Sequence, residues 1–383
     1  MLVETYEQVV RALQPRERMR GRPLPEPGAG GRLRVIGLGK IAAEMCPPDL
    51  ARGALLVLPA DAPAPEGARV VRGAHPLPDE GSLAAGEAML AEARACSASD
   101  AVLLLISGGG SALAEVPHDL DLPALRAMNQ ALVRSGAPIE EMNCVRAHLS
   151  RLKGGGLARA LHAAGVTRAR AYVAVDVPVG GVRAVSSGPA AADPTTCGDA
   201  AALAAKYSLP RARFHETLKP GEPADLVEHE AIVDLRSPAL EAARSGAALL
   251  DSPVRGGLEA FAHRLAALPA GAYCASGELE VAVPAASPPG GRDQHLALVM
   301  ARLLRGREAG FLAAGTDGRD GNTGNAGAEI DGRTWDEAER RGLDPAGALA
   351  HFDATRVLEA LGCALPARHT GAHAGDLYLL RLE

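Results

Sequence analysis

Short apolar runs alternate with longer amphipathic stretches along the first 175 residues. Glu4 to Leu13 has its apolar positions at helical spacing, and the Pro-, Gly- and Arg-rich Pro15 to Gly31 reads as a loop. LRVIGLGKIAAEM, Leu33 to Met45, predicts a strand, a Gly-x-Gly turn and the start of a helix. Ala54 to Leu58 and Ala101 to Ile106 predict strands, with an Ala-rich helix from Ser82 to Cys96 between them. Leu122 to Ser135 is helical in pattern, and Val145 to Ala164 reads as a helix interrupted at Lys153-Gly-Gly-Gly156. Ala171 to Val175 predicts another strand, ending in Asp176-Val-Pro178.

The pattern then changes. Glu222 to Leu268 reads as a helical connection with a break at Gly256-Gly257. Beyond Tyr273 come a strand-like Glu280 to Val283, a helix from Gln294 to Leu304 and a strand from Phe311 to Ala314. The loop GTDGRDGNTGNAGA follows, and the chain closes with a strand from Asp376. Alternating strands and helices with Gly- and Asp-rich loops after the strands describe parallel, three-layer α/β architecture. At 383 residues the expectation is two α/β domains, 1–225 and 226–383.

Composition narrows the function. Hydrophobic content of 47% supplies buried cores, whereas 3% aromatics leave little for base stacking. A formal charge of −6 gives no basic footprint, so nucleic acid is not an expected partner. No apolar run is long enough to span a bilayer and the start does not read as a signal peptide, so a cytoplasmic protein with no membrane partner is expected. Six cysteines without a CxxC pair predict mostly buried thiols, and no histidine spacing suggests zinc. Of 40 lysines and arginines, only Lys40, Lys153, Lys206 and Lys219 are lysines, so a retained lysine marks a place for a compact ammonium.

In an open α/β sheet, ligands gather beyond the carboxyl ends of the strands. The polar clusters fall there. Gly37 and Gly39 would let backbone approach a phosphate, and Lys40 would neutralise it, unless this is only a tight turn with a solvent lysine. Ser107, Gly108, Gly109, Gly110 and Ser111 read as an anion nest, with three glycines where a turn needs fewer. Asn143, Arg146, Ser150 and Lys153 concentrate polar groups beside glycines. Positions 146, 150 and 153 would share a helix face that grips an anion, or simply faces solvent. Asp176 follows a strand directly and is placed to orient or deprotonate a hydroxyl, or to open a turn. Ser187 and Gly188, Arg292 after two glycines, and Thr316, Asp317, Gly318 and Asp320 complete the set.

Taken in order, VIGLGKIAAEM, HPLPDEGS, LLLISGGGSAL, NCVRAHLSRLKGGGLA, SSGPAAADPTT and GTDGRDGNTGNAGA resemble the class II glycerate 2-kinase family, whose C-terminal module is the MOFRL domain. The resemblance spans nearly the whole chain. It implies an N-terminal Rossmann-like parallel sheet, a C-terminal mixed-sheet domain and a cleft between them. It implies ATP-dependent phosphorylation of D-glycerate, usually to 2-phosphoglycerate, with Mg²⁺. Partners would be a small hydroxy acid and a nucleotide, with a homodimer allowed for. Carried over, the catalytic residues are Lys40, Asp176 and Arg292, with Ser107 to Ser111, Asn143, Arg146, Ser150 and Lys153 toward substrate or phosphate. Gly37, Gly39, Ser187, Gly188, Thr316, Asp317, Gly318 and Asp320 fall toward the nucleotide or the cleft. Metal ligands are not assigned.

The chain also departs from the family pattern. The family's SDVPGDD stretch becomes Val175-Asp-Val-Pro-Val179-Gly-Gly181, losing a serine and two acids. GGRNQE becomes Gly-Gly-Arg292-Asp293-Gln-His295, and GxTTV becomes Gly277-Glu-Leu-Glu-Val281. The closing TGPTGTNVNDL shortens to Thr370-Gly-Ala-His-Ala-Gly-Asp376-Leu377. Two other readings therefore stand beside the kinase: a non-catalytic metabolite-binding homologue and an NAD(P)H-dependent hydroxypyruvate reductase.

Overall fold

A computed structural model describes residues 2–177, 179–284 and 287–383. The chain forms two compact units, Met19–Ile232 and a second made of Met1–Arg18 with Val233–Glu383. The first helix, Leu2–Ala12, is therefore not part of an N-terminal domain as the sequence suggested. Its apolar face buries Tyr6, Val9 and Val10, and the Tyr6 hydroxyl donates to the Gly315 carbonyl at 2.8 Å, inside the unit built from the C-terminal half.

The Met19–Ile232 unit carries a six-stranded sheet of β1 (Leu33–Leu38), β2 (Leu55–Pro59), β3 (Arg69–Gly73), β4 (Ala101–Ile106), β5 (Arg168–Ala174) and β6 (Val227–Val233). Its order is β3-β2-β1-β4-β5-β6. The pairs β2–β3, β1–β2, β1–β4 and β4–β5 are parallel. Strand β4 is buried along its whole length, as an apolar run with helices on both faces of the sheet requires. Chain direction across the sheet reverses between β1 and β4, and at that switch point the loops at the strands' carboxyl ends diverge and leave room for a ligand.

The other unit has a mixed sheet of β7 (Ala248–Leu249), β8 (Gly271–Gly277), β9 (Ala309–Gly315), β10 (Asn325–Asp331), β11 (Ala364–Pro366) and β12 (Asp376–Leu382), in the order β11-β10-β9-β12-β8-β7. Strand β12 lies between β8 and β9, antiparallel to both. Against the sheet packs the largely buried helix Arg292–Leu303.

Several sequence expectations need correction. Pro15 to Gly31 contains a short helix, Pro15–Met19. The helix expected over Val145 to Ala164 is two helices, Ile139–His148 and Gly156–Ala163, because Gly154 and Gly155 take left-handed φ of 53° and 81° between them. The supposed helical connection from Glu222 holds β6 and β7 as well as the helices Ser237–Ala243 and Leu258–Ala266. Strands β3 and β6 escaped notice because they are sheet edges: RVVRG and VEHEAIV carry the charges that keep edges from pairing with other chains. Glu280 to Val283 is not a strand. Both flanks of β8 are already taken by β12 and β7, and Glu280 makes only a single bridge, to Gly257. The loop after Gly315 ends sooner than expected, since β10 begins at Asn325.

Candidate active site

The three glycines after β4 each answer to a different neighbour. A Cβ on Gly108 would overlap the Asp176 carboxylate, and one on Gly110 would overlap the Ser186 hydroxyl. Gly109 has φ 86° and lies under the Lys40 side chain, whose Cγ and Cε would be 3.1 Å from an added Cβ, with His75 Cδ2 at 3.5 Å. The loop thus places Asp176 and Lys40 against consecutive residues at the switch point. Among the described residues, the amides of Gly108, Gly109 and Ser111 donate to no group of the chain, so they are available to an anion.

Ser107 has a different task. Its hydroxyl accepts from the Ile41 amide at 3.2 Å, the Lys40 amide donates to the Gly108 carbonyl at 3.0 Å, and the Ala42 amide donates to Gly39 at 3.3 Å. The amides of the β1 turn, expected to cradle a phosphate, are therefore used within the fold. Gly37 and Gly39 are required because Cβ atoms there would strike Leu56 and Ser107. Lys40 remains. Lys153, Lys206 and Lys219 pair with Glu115, Glu141 and Glu216, so among the described residues Lys40 is the one lysine without an ion pair, and it is exposed.

A second cation stands nearby. Arg146, on helix Ile139–His148, donates through Nε to Asn129 Oδ1 at 3.0 Å and has no carboxylate partner among the described residues. Burial lowers its pKa, with Glu115 opposing. Burial also lowers the pKa of His75, helped by the charges of Lys40 and Arg146, which keeps the imidazole neutral at pH 7. Sequence reasoning missed His75, although it sits inside the HPLPDEGS stretch.

Behind the loop a hydroxyl chain fixes the geometry. Ser111 Oγ lies 2.8 Å from Ser187 Oγ, Ser187 Oγ donates to Asn143 Oδ1 at 2.8 Å, and Asn143 Nδ2 donates to the Ala184 carbonyl at 3.0 Å. Ser186 and Ser187 have φ of 54° and 57°, followed by Gly188 at 60°. Left-handed conformation in two serines costs on the order of 1–3 kcal/mol each, and such strain concentrates where a side chain must be aimed. Pro178, singled out beside Asp176, lies outside the described residues.

Ser150 and Lys153 do not share a helix face with Arg146, because that helix ends at His148. Both turn inward to Glu115, a buried acid that sequence reasoning passed over. Lys153 Nζ pairs with Glu115 Oε2, and Ser150 donates to Oε1, which also accepts the Val116 amide at 2.9 Å. These groups satisfy one another below the loop.

In the second unit Arg292 opens helix Arg292–Leu303. Its Nε and Nη2 donate to the two oxygens of Asp376 at 2.6 and 3.2 Å, and Nη1 donates to Glu278 at 2.9 Å. Burial opposes the charge, but Asp376 and Glu278 hold the guanidinium protonated. Asp320 caps the same helix: it accepts from the amides of Asp293 at 3.1 Å and Gln294 at 2.8 Å, and from Gln294 Nε2 at 2.9 Å. Gly291 is glycine because a Cβ would overlap that carboxylate. Thr316 is fully buried, donating to Gly375 at 2.7 Å, and Gly318 packs on the Arg368 carbonyl. Asp317, half-buried, accepts from the Arg319 amide at 2.9 Å. Thr316, Gly318 and Asp320 are thus engaged in holding the loop together.

A family model described as a domain of unknown function, DUF4147, matches residues 1–219, and the MOFRL family model matches residues 271–376. The chain belongs to the class II glycerate kinase family. D-glycerate 2-kinase of Thermotoga maritima is 34% identical over 335 residues, spanning 80% of this chain and 78% of that one. A provisionally named hydroxypyruvate reductase of Agrobacterium vitis is 34% identical over 366 residues, spanning 87% and 83%. The crystal structure of Thermotoga maritima glycerate kinase matches with a TM-score of 0.87 at 27% identity, over 100% of this chain and 98% of that one. No helix among the described residues is long and apolar enough to cross a membrane.

Proposed function

We propose that this protein transfers the γ-phosphoryl group of ATP to the 2-hydroxyl of D-glycerate. The observation that carries the reading is Lys40. The chain's one lysine without an ion pair among its described residues lies over Gly109, at the switch point, with the Asp176 carboxylate against Gly108. Phosphoryl transfer asks a protein for alignment and charge neutralisation more than for covalent chemistry. In this reading the amides of Gly108, Gly109 and Ser111 hold anionic oxygens, Lys40 balances charge as it develops, and Asp176 orients the attacking hydroxyl and takes its proton. Arg146, which has no carboxylate partner among the described residues, contributes a second positive charge.

Mg²⁺ takes hard oxygen donors, commonly one or two carboxylates together with nucleotide phosphates. Asp176 fits that part, and Gly180 and Gly181 stand where related sequences carry further acids. When bound, the ion would supply charge neutralisation at the phosphates. A reductase reading is less well supported, because the amides of the β1 turn that would hold a dinucleotide pyrophosphate already donate within the fold.

The test is ADP release coupled to a spectroscopic readout, with D-glycerate and related hydroxy acids, and the product identified by phosphorus NMR. Turnover of D-glycerate to 2-phosphoglycerate is expected. No turnover with any hydroxy acid, alongside calorimetric binding of glycerate, would overturn the kinase reading. NADH oxidation with hydroxypyruvate would replace it with the reductase.

A further inference from the structure

No cysteine or histidine spacing suggested a metal, yet the fold brings three unlike donors together outside the loop cluster. Ligand atoms of His148, Cys197 and Glu216 all lie within 4.8 Å of one another. They come from three separate places: the last turn of helix Ile139–His148, the first residue of helix Cys197–Lys206, and the irregular chain after Phe214. The His215 amide donates to the His148 carbonyl at 2.8 Å, and the Cys197 amide donates to Glu216 Oε1 at 2.9 Å, so backbone contacts fix the spacing.

The imidazole supplies the deciding observation. His148 is fully buried, and its Nδ1 lies 2.8 Å from the Cys144 carbonyl and 3.8 Å from Asp193 Oδ2. A carbonyl can only accept, so Nδ1 carries the proton and Nε2 presents a lone pair. That Nε2 is buried and finds no hydrogen-bond partner. A ligand histidine is ordinarily oriented in this way, with its far nitrogen donating to a carbonyl or carboxylate and its near nitrogen left for the ion. Glu216 stands at the same place, its Oε2 paired with the Lys219 ammonium at 2.8 Å.

We propose that His148 Nε2, the Cys197 thiolate and a Glu216 oxygen bind a divalent cation of the zinc class, with solvent in the fourth position. Nitrogen, sulfur and oxygen donors in a group of three match the four-coordinate preference of zinc. The thiol and imidazole exclude Mg²⁺ as the natural occupant, so this site is separate from any ion carried by the nucleotide. Binding replaces the Cys197 S–H bond with a metal–sulfur bond and releases one proton to solvent. The ion would tie the end of the helix that carries Asn143 and Arg146 to two further segments of the chain.

The experiment is a titration of the chelator-treated, reduced full-length protein with Co²⁺, read by absorption. A stoichiometric thiolate-to-cobalt charge-transfer band is expected, together with strong tetrahedral bands in the visible. Cys197→Ser should abolish the charge-transfer band, and Cys363→Ser, at the other partly exposed cysteine, should leave it intact. Glu216→Gln should retain the band while weakening affinity by roughly tenfold or more. Zn²⁺ should displace Co²⁺ and raise the melting temperature of the wild type but not of Cys197→Ser. Absence of the band in the wild type, or its survival in Cys197→Ser, would overturn the proposal. Neither result depends on kinase turnover.

Discussion

Lys40 and Lys153 illustrate how differently the same residue type is used. Lys40 holds no partner that its removal would orphan, so Lys40→Ala should leave stability within about 0.5 kcal/mol of wild type. Turnover should nevertheless fall by roughly 10²–10³, as for loss of a group that meets developing charge. Parallel urea melts and steady-state rates check both halves; a full rate in Lys40→Ala would remove that lysine from the chemistry. Lys153→Ala should do the reverse to stability, costing about 3–5 kcal/mol by leaving Glu115 buried and uncompensated. Much of that loss should return in the Lys153→Ala/Glu115→Ala double variant. The scarcity of lysine was legible in the sequence and pointed to Lys40. It pointed equally to Lys153, because nothing in one dimension says that Glu115 lies 38 positions away in sequence but beside it in space.

At the scale of elements, the N-terminus of helix Arg292–Leu303 is served by another segment's acid rather than by its own N-cap. Gly291 makes no side-chain cap, and Asp320 takes its place from the loop after β9. Asp320→Ala should destabilise the protein by about 1–2 kcal/mol, the range of a lost helix cap, measured as a shift of the urea midpoint. Read as sequence, Asp317 and Asp320 look equivalent, two acids in one glycine-rich loop. Burial separates them, because the start of helix Arg292–Leu303 packs on the Asp320 carboxylate and not on Asp317. The loops after β1 and β4 were more legible, since an apolar strand meeting a run of glycines is a local signal. Edge strands β3 and β6 were not, because charge on an edge erases the apolar pattern that marks a strand.

Protonation links that helix to the behaviour of the whole molecule. Asp293 is fully buried with neither carboxylate oxygen bonded, and burial, with Asp376 and Asp320 adding repulsion, drives its pKa well up. Burial also raises Asp320, and it raises Asp376 to about 6 against the pull of Arg292. The folded chain therefore keeps protons that the unfolded chain, with carboxyl pKa near 4, gives up. Stability contributed by these acids is present below about pH 4 and is lost as pH rises through the raised values. Thermal melts should show this unit weakening as pH rises from about 4 through about 6 and beyond. Asp293→Asn should flatten that slope and stabilise the protein at pH 8 by about 1–3 kcal/mol. A slope unchanged by Asp293→Asn would show that the acid is not the source. The mixed sheet of the same unit has one more consequence, for the order in which the protein is made. Strand β12, which joins β9 to β8, is translated after every other strand, and the helix Leu2–Ala12 that packs in this unit is translated before all of them. At roughly 5–20 residues per second, that helix waits on the order of tens of seconds for the Gly315 carbonyl and its sheet. The Met19–Ile232 unit is contiguous and can close while the ribosome is still at work, whereas the other is open at both ends until β12 emerges. A nascent chain stalled before Asp376 should therefore resist protease over 19–232 and be cut freely elsewhere.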